Sequence, residues 1–437
     1  MQGAEVDLVL EEITKIGAKN VALQIPSHLL KHARQWVLGL ESGLKYQDVV
    51  VQVLADNNYS ECCVDEITAA HVVACDLIVH FGHCCYSAPS IYPTLIIPSY
   101  HTMVSGSSKL DDDSVRKKRC AEFLVNKINP GEKTCVYFSD DFDFSLSDLT
   151  IHAAELSDLD IDFGKTNRLM KPSCKSDGLD FGRKFGESQN LIKNIVYFGG
   201  SEDRLLHLVC LKYFVSSTLY AFDPATSKEI TCMSIVRKLS TRRSHLIERA
   251  KEADIIGILI GTLSVRGYRE AIDFSRNLVR LAGKKSYTFV VGKINVAKLA
   301  NFAEIDAFVL ISCAETSLND HSEFFKPVLS VCELNYALNP NATWDGSFDL
   351  DFSNVVKKHA SEVEQLLKEN QNYEIHSQGD SSSQVALRGE FSLVPKTAAS
   401  FLQNRSWQGL EMKLEQNEVC KIEPGLSGIP MKYDKEF

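Results

Sequence analysis

The chain has 437 residues with 47 Lys+Arg against 57 Asp+Glu, a net charge of −10. That length predicts about three compact units and a core that needs no disulfide or metal merely to fold. The acidic balance excludes generic binding to a phosphate backbone or an anionic membrane surface, and 44% apolar with 24% charged residues excludes collagen, coiled coil and wholesale disorder.

In chain order, amphipathic patterns at 6–16 and 29–40 alternate with short β-branched runs at 20–25, 49–55, 76–81 and 94–97. Runs apolar on both faces between helices predict a parallel sheet covered on both sides. The pattern recurs with strands expected at 134–138, 194–198 and 218–222, and again at 254–260, 287–291, 307–311 and 328–331. The predicted fold is therefore α/β, with three similar units at 1–104, 105–228 and 229–345, each a small parallel-type sheet flanked by helices. Boundaries are expected near 105–113 and 225–235. Residues 346–437 read as a linker and C-terminal extension: 369–383 is rich in Gln, Asn, Ser and Gly, and 391–394 and 407–410 are apolar enough to dock. No secretory signal and no apolar run of membrane-spanning length is visible, so a cytoplasmic location is expected.

A reducing compartment keeps the thirteen cysteines as thiols. Five of them, Cys62, Cys63, Cys75, Cys84 and Cys85, fall within 24 residues. No C-x-x-C pair occurs, which excludes zinc fingers, thioredoxin-like sites and ferredoxin patterns, and the C-x3-C-x2-C loop of ordinary radical S-adenosylmethionine enzymes is missing. Any metal site must converge through the fold. Cys84 and Cys85 follow the strand pattern ending at Phe81, and Cys313 follows Phe308-Val-Leu-Ile-Ser312, both at the carboxyl ends where open α/β sheets bind ligands. Cys62 and Cys63 open a predicted helix at 64–71, whose dipole would favour a thiolate.

The other cysteines, including Cys75, Cys135, Cys210, Cys232 and Cys332, read as core residues. The residue pattern leaves open which member of each doublet ligates. His80 or His83 could be a ligand or a donor to the thiols, though histidines ending a strand are more often satisfied structurally, and Arg242-Arg243 reads as a solvated face or a partner contact. No phosphate loop is present, and Gly199-Gly200 and Gly261 read as turn glycines.

The segments Ala55-Asp-Asn-Asn-Tyr59, Cys62-Cys-Val-Asp-Glu66, His80-Phe-Gly-His83 and Cys85 resemble the diphthamide synthase family, and within it the second-subunit branch of eukaryotes. Further segments agree: Arg242-Arg243, Leu246-Ile-Glu248-Arg-Ala250, Gly257, Gly261-Thr-Leu263, Lys285-Ser-Tyr287, Lys298-Leu-Ala-Asn-Phe302, Cys313, Phe325-Lys-Pro-Val328 and Trp407-Gln-Gly-Leu410. The resemblance implies three α/β domains around a [4Fe–4S] cluster, with Cys63, Cys85 and Cys313 as the matching ligands. It implies a heterodimer with a first, catalytic subunit. That enzyme transfers a 3-amino-3-carboxypropyl group from S-adenosylmethionine to a histidine of translation elongation factor 2.

The middle unit offers only Cys120, Cys135, Cys174 and Cys210, none in a context like the family's second ligand. This departure implies an accessory role, in which no residue of this chain is catalytic, S-adenosylmethionine is bound by the partner, and a small electron-donor protein feeds a cluster held here. Two other readings keep the fold: a cluster-free scaffold that docks the elongation factor, and a zinc protein using the same thiols.

Overall fold

In the computed structural model, the described residues are 3–44, 48–54, 60–72, 74–98, 110–140, 159–172, 179–186, 192–318 and 323–377. Most of the apolar runs become strands of three main sheets. In the first, Val50–Val53, Asn20–Gln24, Leu77–Phe81 and Thr94–Ile97 lie side by side in parallel, and Leu169–Met170 adds an antiparallel edge. The second runs Ile161–Phe163, Thr134–Phe138, Asn194–Phe198 and Thr218–Asp223 in parallel, edged by antiparallel Lys228–Ile230. The third is wholly parallel: Lys285–Val290, Ile255–Ile260, Ala307–Ile311 and Val328–Leu329.

Numbering the parallel strands of each sheet in chain order gives the same spatial order, 2-1-3-4, all three times. Propagation reverses beside strand 1, which leaves a crevice at the carboxyl ends of strands 1 and 3. The inner strands LIVHF, TCVYF, NIVYF, IIGILI and AFVLI are buried along their whole length because helices cover both faces. In the first sheet, Val9 and Ile13 of helix Gly3–Ile16 pack with Val21, Leu23 and Val79, and Trp36 of helix Ala33–Gly43 stacks on Phe81 at 4.3 Å. In the third sheet, Gly257 permits close packing, since a Cβ there would lie 2.6 Å from the Phe308 ring.

Several elements depart from the sequence-based expectation. The helix expected at 29–40 opens as a 3-10 turn, Ser27–His32, behind Pro26, and becomes α-helical only at Ala33. The strand expected to reach Val331 stops at Leu329, because Ser330 and Glu333 form a capping box that starts helix Val331–Leu338. Residues 369–377 of the expected linker instead end helix Phe352–Ser377, since Glu and Gln are good helix formers and no Gly or Pro intervenes; 378–383 lie outside the described residues. The helix expected at 64–71 is only Glu66–Ala69, so Cys62 and Cys63 lie on the preceding turn and not on a helix N-terminus.

The boundary stretch 105–113 lies outside the described residues up to 109, and helix Leu110–Lys127 follows at once. A small antiparallel sheet of Lys165–Thr166, Arg183–Lys184 and Leu179–Asp180 was not expected from the sequence. The apolar segments 391–394 and 407–410, Ala55-Asp-Asn-Asn-Tyr59, Cys174 and Cys420 lie outside the described residues. Among the described residues no helix is long and apolar enough to cross a membrane.

Candidate metal centre

Three loops bring cysteine sulfurs together at the carboxyl ends of the first and third sheets. Cys62 and Cys63 sit on a turn closed by the Cys63 amide on the Ser60 carbonyl at 3.0 Å. Gln24, the last residue of the first strand, holds both sides of that turn. Its amide donates to the Cys63 carbonyl at 2.8 Å and accepts from the Asp65 N–H at 2.9 Å. Asp65 then caps helix Glu66–Ala69 through the Thr68 N–H. The Cys85 amide donates to the Cys62 carbonyl at 3.0 Å, which fixes the second loop to the first. Cys313 leaves the third sheet directly after Ile311 and Ser312, and Thr316 one turn on lies 3.1 Å from its sulfur and 2.7 Å from Ser60 Oγ.

The result is a group of four sulfurs, Cys62, Cys63, Cys85 and Cys313, all within 4.8 Å of one another. Cys62 to Cys313 is 3.7 Å and Cys63 to Cys85 is 3.8 Å. The three residues singled out by the resemblance are all in the group, and Cys62 joins them. The two doublets behave differently: the 62–63 turn presents both sulfurs to the group, whereas the 84–85 loop presents only that of Cys85. Cys84 accordingly packs with Tyr86, Ile96 and Met170.

Such a packed set of thiols shares charge unequally. Hydrogen bonds from Cys313, Cys62, Cys63 and Cys84 hold the Cys85 thiol well below its ordinary range, against the effect of burial. Cys62 and Cys63 are pushed up, first by their hydrogen bonds with Cys313, and Cys84 by its hydrogen bond with Cys85. Cys85 is thus the member of the group on which thiolate character is favoured.

Soft sulfur donors without oxygen partners suit zinc or an iron–sulfur cluster and not calcium or magnesium. Four sulfurs about 2.3 Å from a single tetrahedral ion would lie about 3.8 Å apart, close to the spacing seen here. A four-iron cluster needs the loops to part. Cavities of about 500 and 230 Å³ border Cys85, so its loop has space to move. The donor set therefore fits either group.

The remaining described cysteines take no part. Cys75, Cys120, Cys135, Cys210, Cys232 and Cys332 are buried in apolar surroundings, as expected. In the second sheet the loop equivalent to those carrying Cys85 and Cys313 follows Asn194–Phe198 and begins with Gly199-Gly200. A Cβ on Gly199 would lie 2.7 Å from the Ser139 side chain and 2.5 Å from Asp203 Oδ2, so no larger residue fits without movement.

Charged side chains close the site. His80, fully buried, contacts the His83 carbonyl at 3.0 Å through Nε2, and burial lowers its pKa, so the neutral ring donates there. His83 Nε2 lies 2.6 Å from Glu315 and its Nδ1 3.3 Å from Asp140. Arg183 anchors Asp140 at 2.8 Å. The Glu66 carboxylate is buried and accepts the N–H groups of Ser90, Ile91 and Tyr92. The Glu66 amide donates to Ser264 Oγ at 3.2 Å, which joins the cysteine turn to the third sheet.

Sequence reasoning missed Gln24, Thr316, Glu315, Asp140 and Arg183. A polar residue ending a wholly apolar strand was a usable signal for Gln24; the others had none. Arg243, read as solvated or partner-facing, is instead buried in an ion pair with Glu333 at 2.7 Å. The charged doublet concealed that one arginine faces inward.

The sequence profile of a family described as diphthamide synthesis proteins matches residues 25–349. The chain belongs to that family. It is 32% identical to the Xenopus laevis protein named 2-(3-amino-3-carboxypropyl)histidine synthase subunit 2, over 99% of this chain and 92% of the relative. Identity to the Danio rerio protein of the same name is 33%, covering 97% and 90%. Among solved structures, Dph2 from Pyrococcus horikoshii with a 4Fe-4S cluster has the same fold, with a TM-score of 0.53 at 21% identity, covering 79% of this chain and 93% of that one.

Proposed function

We propose that this chain is the second, iron–sulfur subunit of the heterodimeric enzyme that begins diphthamide synthesis. In this reading it acts in the cytoplasm. The enzyme transfers a 3-amino-3-carboxypropyl group from S-adenosylmethionine to a histidine of translation elongation factor 2. The observation that carries the proposal is the convergence of Cys62, Cys63, Cys85 and Cys313 in a member of the diphthamide family. Cys63, Cys85 and Cys313 are the proposed ligands, with Cys62 in reach of a fourth position.

A bound [4Fe–4S] cluster would supply one-electron transfer. The chain's own residues do the rest. Gln24 and the Cys85 amide fix the cysteine loops of the first sheet, and the burial of Cys62, Cys63 and Cys313 limits water. We assign an accessory role, in which electrons from a small donor protein pass to the catalytic subunit and S-adenosylmethionine is bound there. The three units 1–104, 105–228 and 229–345 each correspond, in this reading, to one 2-1-3-4 sheet with its helices.

Anaerobic reconstitution of the full chain, with iron counted per chain and electron paramagnetic resonance recorded after reduction, tests the proposal. About four irons, abolished in a Cys63, Cys85, Cys313 triple alanine variant, is the expected result. The thiol spacing favours one second reading, a single zinc ion; a colourless protein with one zinc per chain would establish it. A protein that binds no metal yet stabilises its partner would instead be a scaffold.

A further inference from the structure

One side chain beside the thiols reaches loops from all three sheets. His83 follows the first sheet's strand Leu77–Phe81 and precedes Cys85 by two residues. Its Nε2 lies 2.6 Å from Oε2 of Glu315, two residues beyond Cys313 on the third sheet's loop. Its Nδ1 lies 3.3 Å from Oδ2 of Asp140, at the carboxyl end of the second sheet's strand Thr134–Phe138.

Both carboxylates are well seated: the Glu315 side chain is 6% exposed and that of Asp140 17%. Arg183 holds Asp140 at 2.8 Å and also donates to the carbonyls of Phe138 and Phe181 at 3.0 and 2.7 Å. The His83 backbone is fixed as well, through its carbonyl on His80.

This arrangement addresses a mechanical problem. Cys85 and Cys313 belong to different sheets, and thiol–thiol contacts are too weak to set the distance between their loops. Ser60 and Thr316 join the same two sheets, at 2.7 Å, but through a neutral hydrogen bond. The carboxylate-paired imidazole is the stronger link, and it is shorter by sequence on both sides, two residues from each cysteine.

We propose that His83 is the positioning residue of the metal centre: through Glu315 and Asp140 it sets the separation of Cys85 from Cys313 and so the geometry of the group they hold. The inference rests on the metal reading above. Groups around metal ligands that orient them typically contribute 10–100-fold to metal retention, and hydrogen bonding near the sulfurs tunes cluster potential.

The test uses the full chain, reconstituted anaerobically, and compares wild type with His83→Leu and His83→Gln. Loss of the cluster to a chelator should be 10–100-fold faster in His83→Leu. The reduced-to-oxidised ratio at a fixed potential should change about tenfold, equivalent to about 59 mV for one electron. His83→Gln, whose amide can still donate to Glu315, should recover part of both. If wild type holds its cluster and His83→Leu matches it in retention and potential, the inference is wrong and the metal reading stands. If wild type takes up no metal, the metal reading fails and takes this inference with it. Should His83→Leu misfold, Glu315→Gln carries the same comparison, and unchanged retention and potential there would overturn the proposal.

Discussion

Glu66 offers a sharp test of how the cysteine turn is held. Its buried carboxylate accepts the Ser90 amide on Oε2 at 3.0 Å, and the Ile91 and Tyr92 amides on Oε1 at 2.7 and 2.9 Å. Replacing Glu66 by Ala orphans three amides, each costing about 1–3 kcal/mol when left unpaired, so the low end of the sum is about 3 kcal/mol. Desolvation works in the other direction: it pushes the Glu66 pKa up, more strongly than the three amides pull it down, so removing the carboxylate also removes a burial cost. The low-end sum is therefore the figure to use. At 1.4 kcal/mol per decade, about 3 kcal/mol is roughly a hundredfold rise in local opening. Hydrogen-exchange mass spectrometry of peptides spanning 88–93 should report that increase, with Glu66→Gln intermediate because one oxygen can still serve Ile91 and Tyr92. Exchange within threefold of wild type in Glu66→Ala would refute the reasoning.

The remaining predictions concern other parts of the molecule. Ser substitutions at Cys63, Cys85 or Cys313 should each reduce metal bound per chain, whereas Cys84→Ser should leave it unchanged, as elemental analysis would reveal. Arg243→Leu should destabilise by about 3–5 kcal/mol because it strands the buried Glu333 charge, and pairing it with Glu333→Gln, which removes the charge but keeps an acceptor for the Ser330 N–H, should recover much of that; chemical denaturation measures both. Gly182→Ala should lower thermal stability, since φ is +76° and a Cβ would lie 2.2 Å from that of Tyr86.

In the metal-free chain, burial pulls the His83 pKa down but Asp140 and Glu315 more than reverse it, up to about 10. A raised histidine pKa means that the ion pairs stabilise fully below the unfolded value of about 6.5 and fade as pH rises towards 10. The side chain is 45% exposed, so solvent screening reduces the gain. Nuclear magnetic resonance should show no titration of this ring between pH 6 and 8, and a midpoint near 6.5 would contradict the assignment.

The inner strands were legible because they are apolar on both faces and of ordinary length, whereas Ile161–Phe163, the parallel edge strand of the second sheet, was missed because it is only three residues long. The two-residue strands Lys165–Thr166 and Arg183–Lys184 were not, since no periodicity can be read over so short a span. Cys63, Cys85 and Cys313 were reached through a family resemblance, while the choice between Cys84 and Cys85 depends on which way a loop residue points. Cys62 was passed over because a tight turn places neighbours on the same side, a property of backbone dihedrals that the doublet itself does not encode. Glu315, Asp140 and Arg183 carried no local signal at all: each acts through a partner far away in the chain.

That distance shapes how the molecule must be made. Cys62 and Cys313 are 251 positions apart, yet their sulfurs lie 3.7 Å from each other. At about 5–20 residues per second of synthesis, the earlier cysteine leaves the ribosome about 10–50 s before the later one. Throughout that interval Cys62, Cys63 and Cys85 are present without their fourth companion, as an incomplete and oxidisable trio. The four-sulfur group can form only after the third sheet has folded, so any metal it takes up would have to arrive after residues to about 329 have been made.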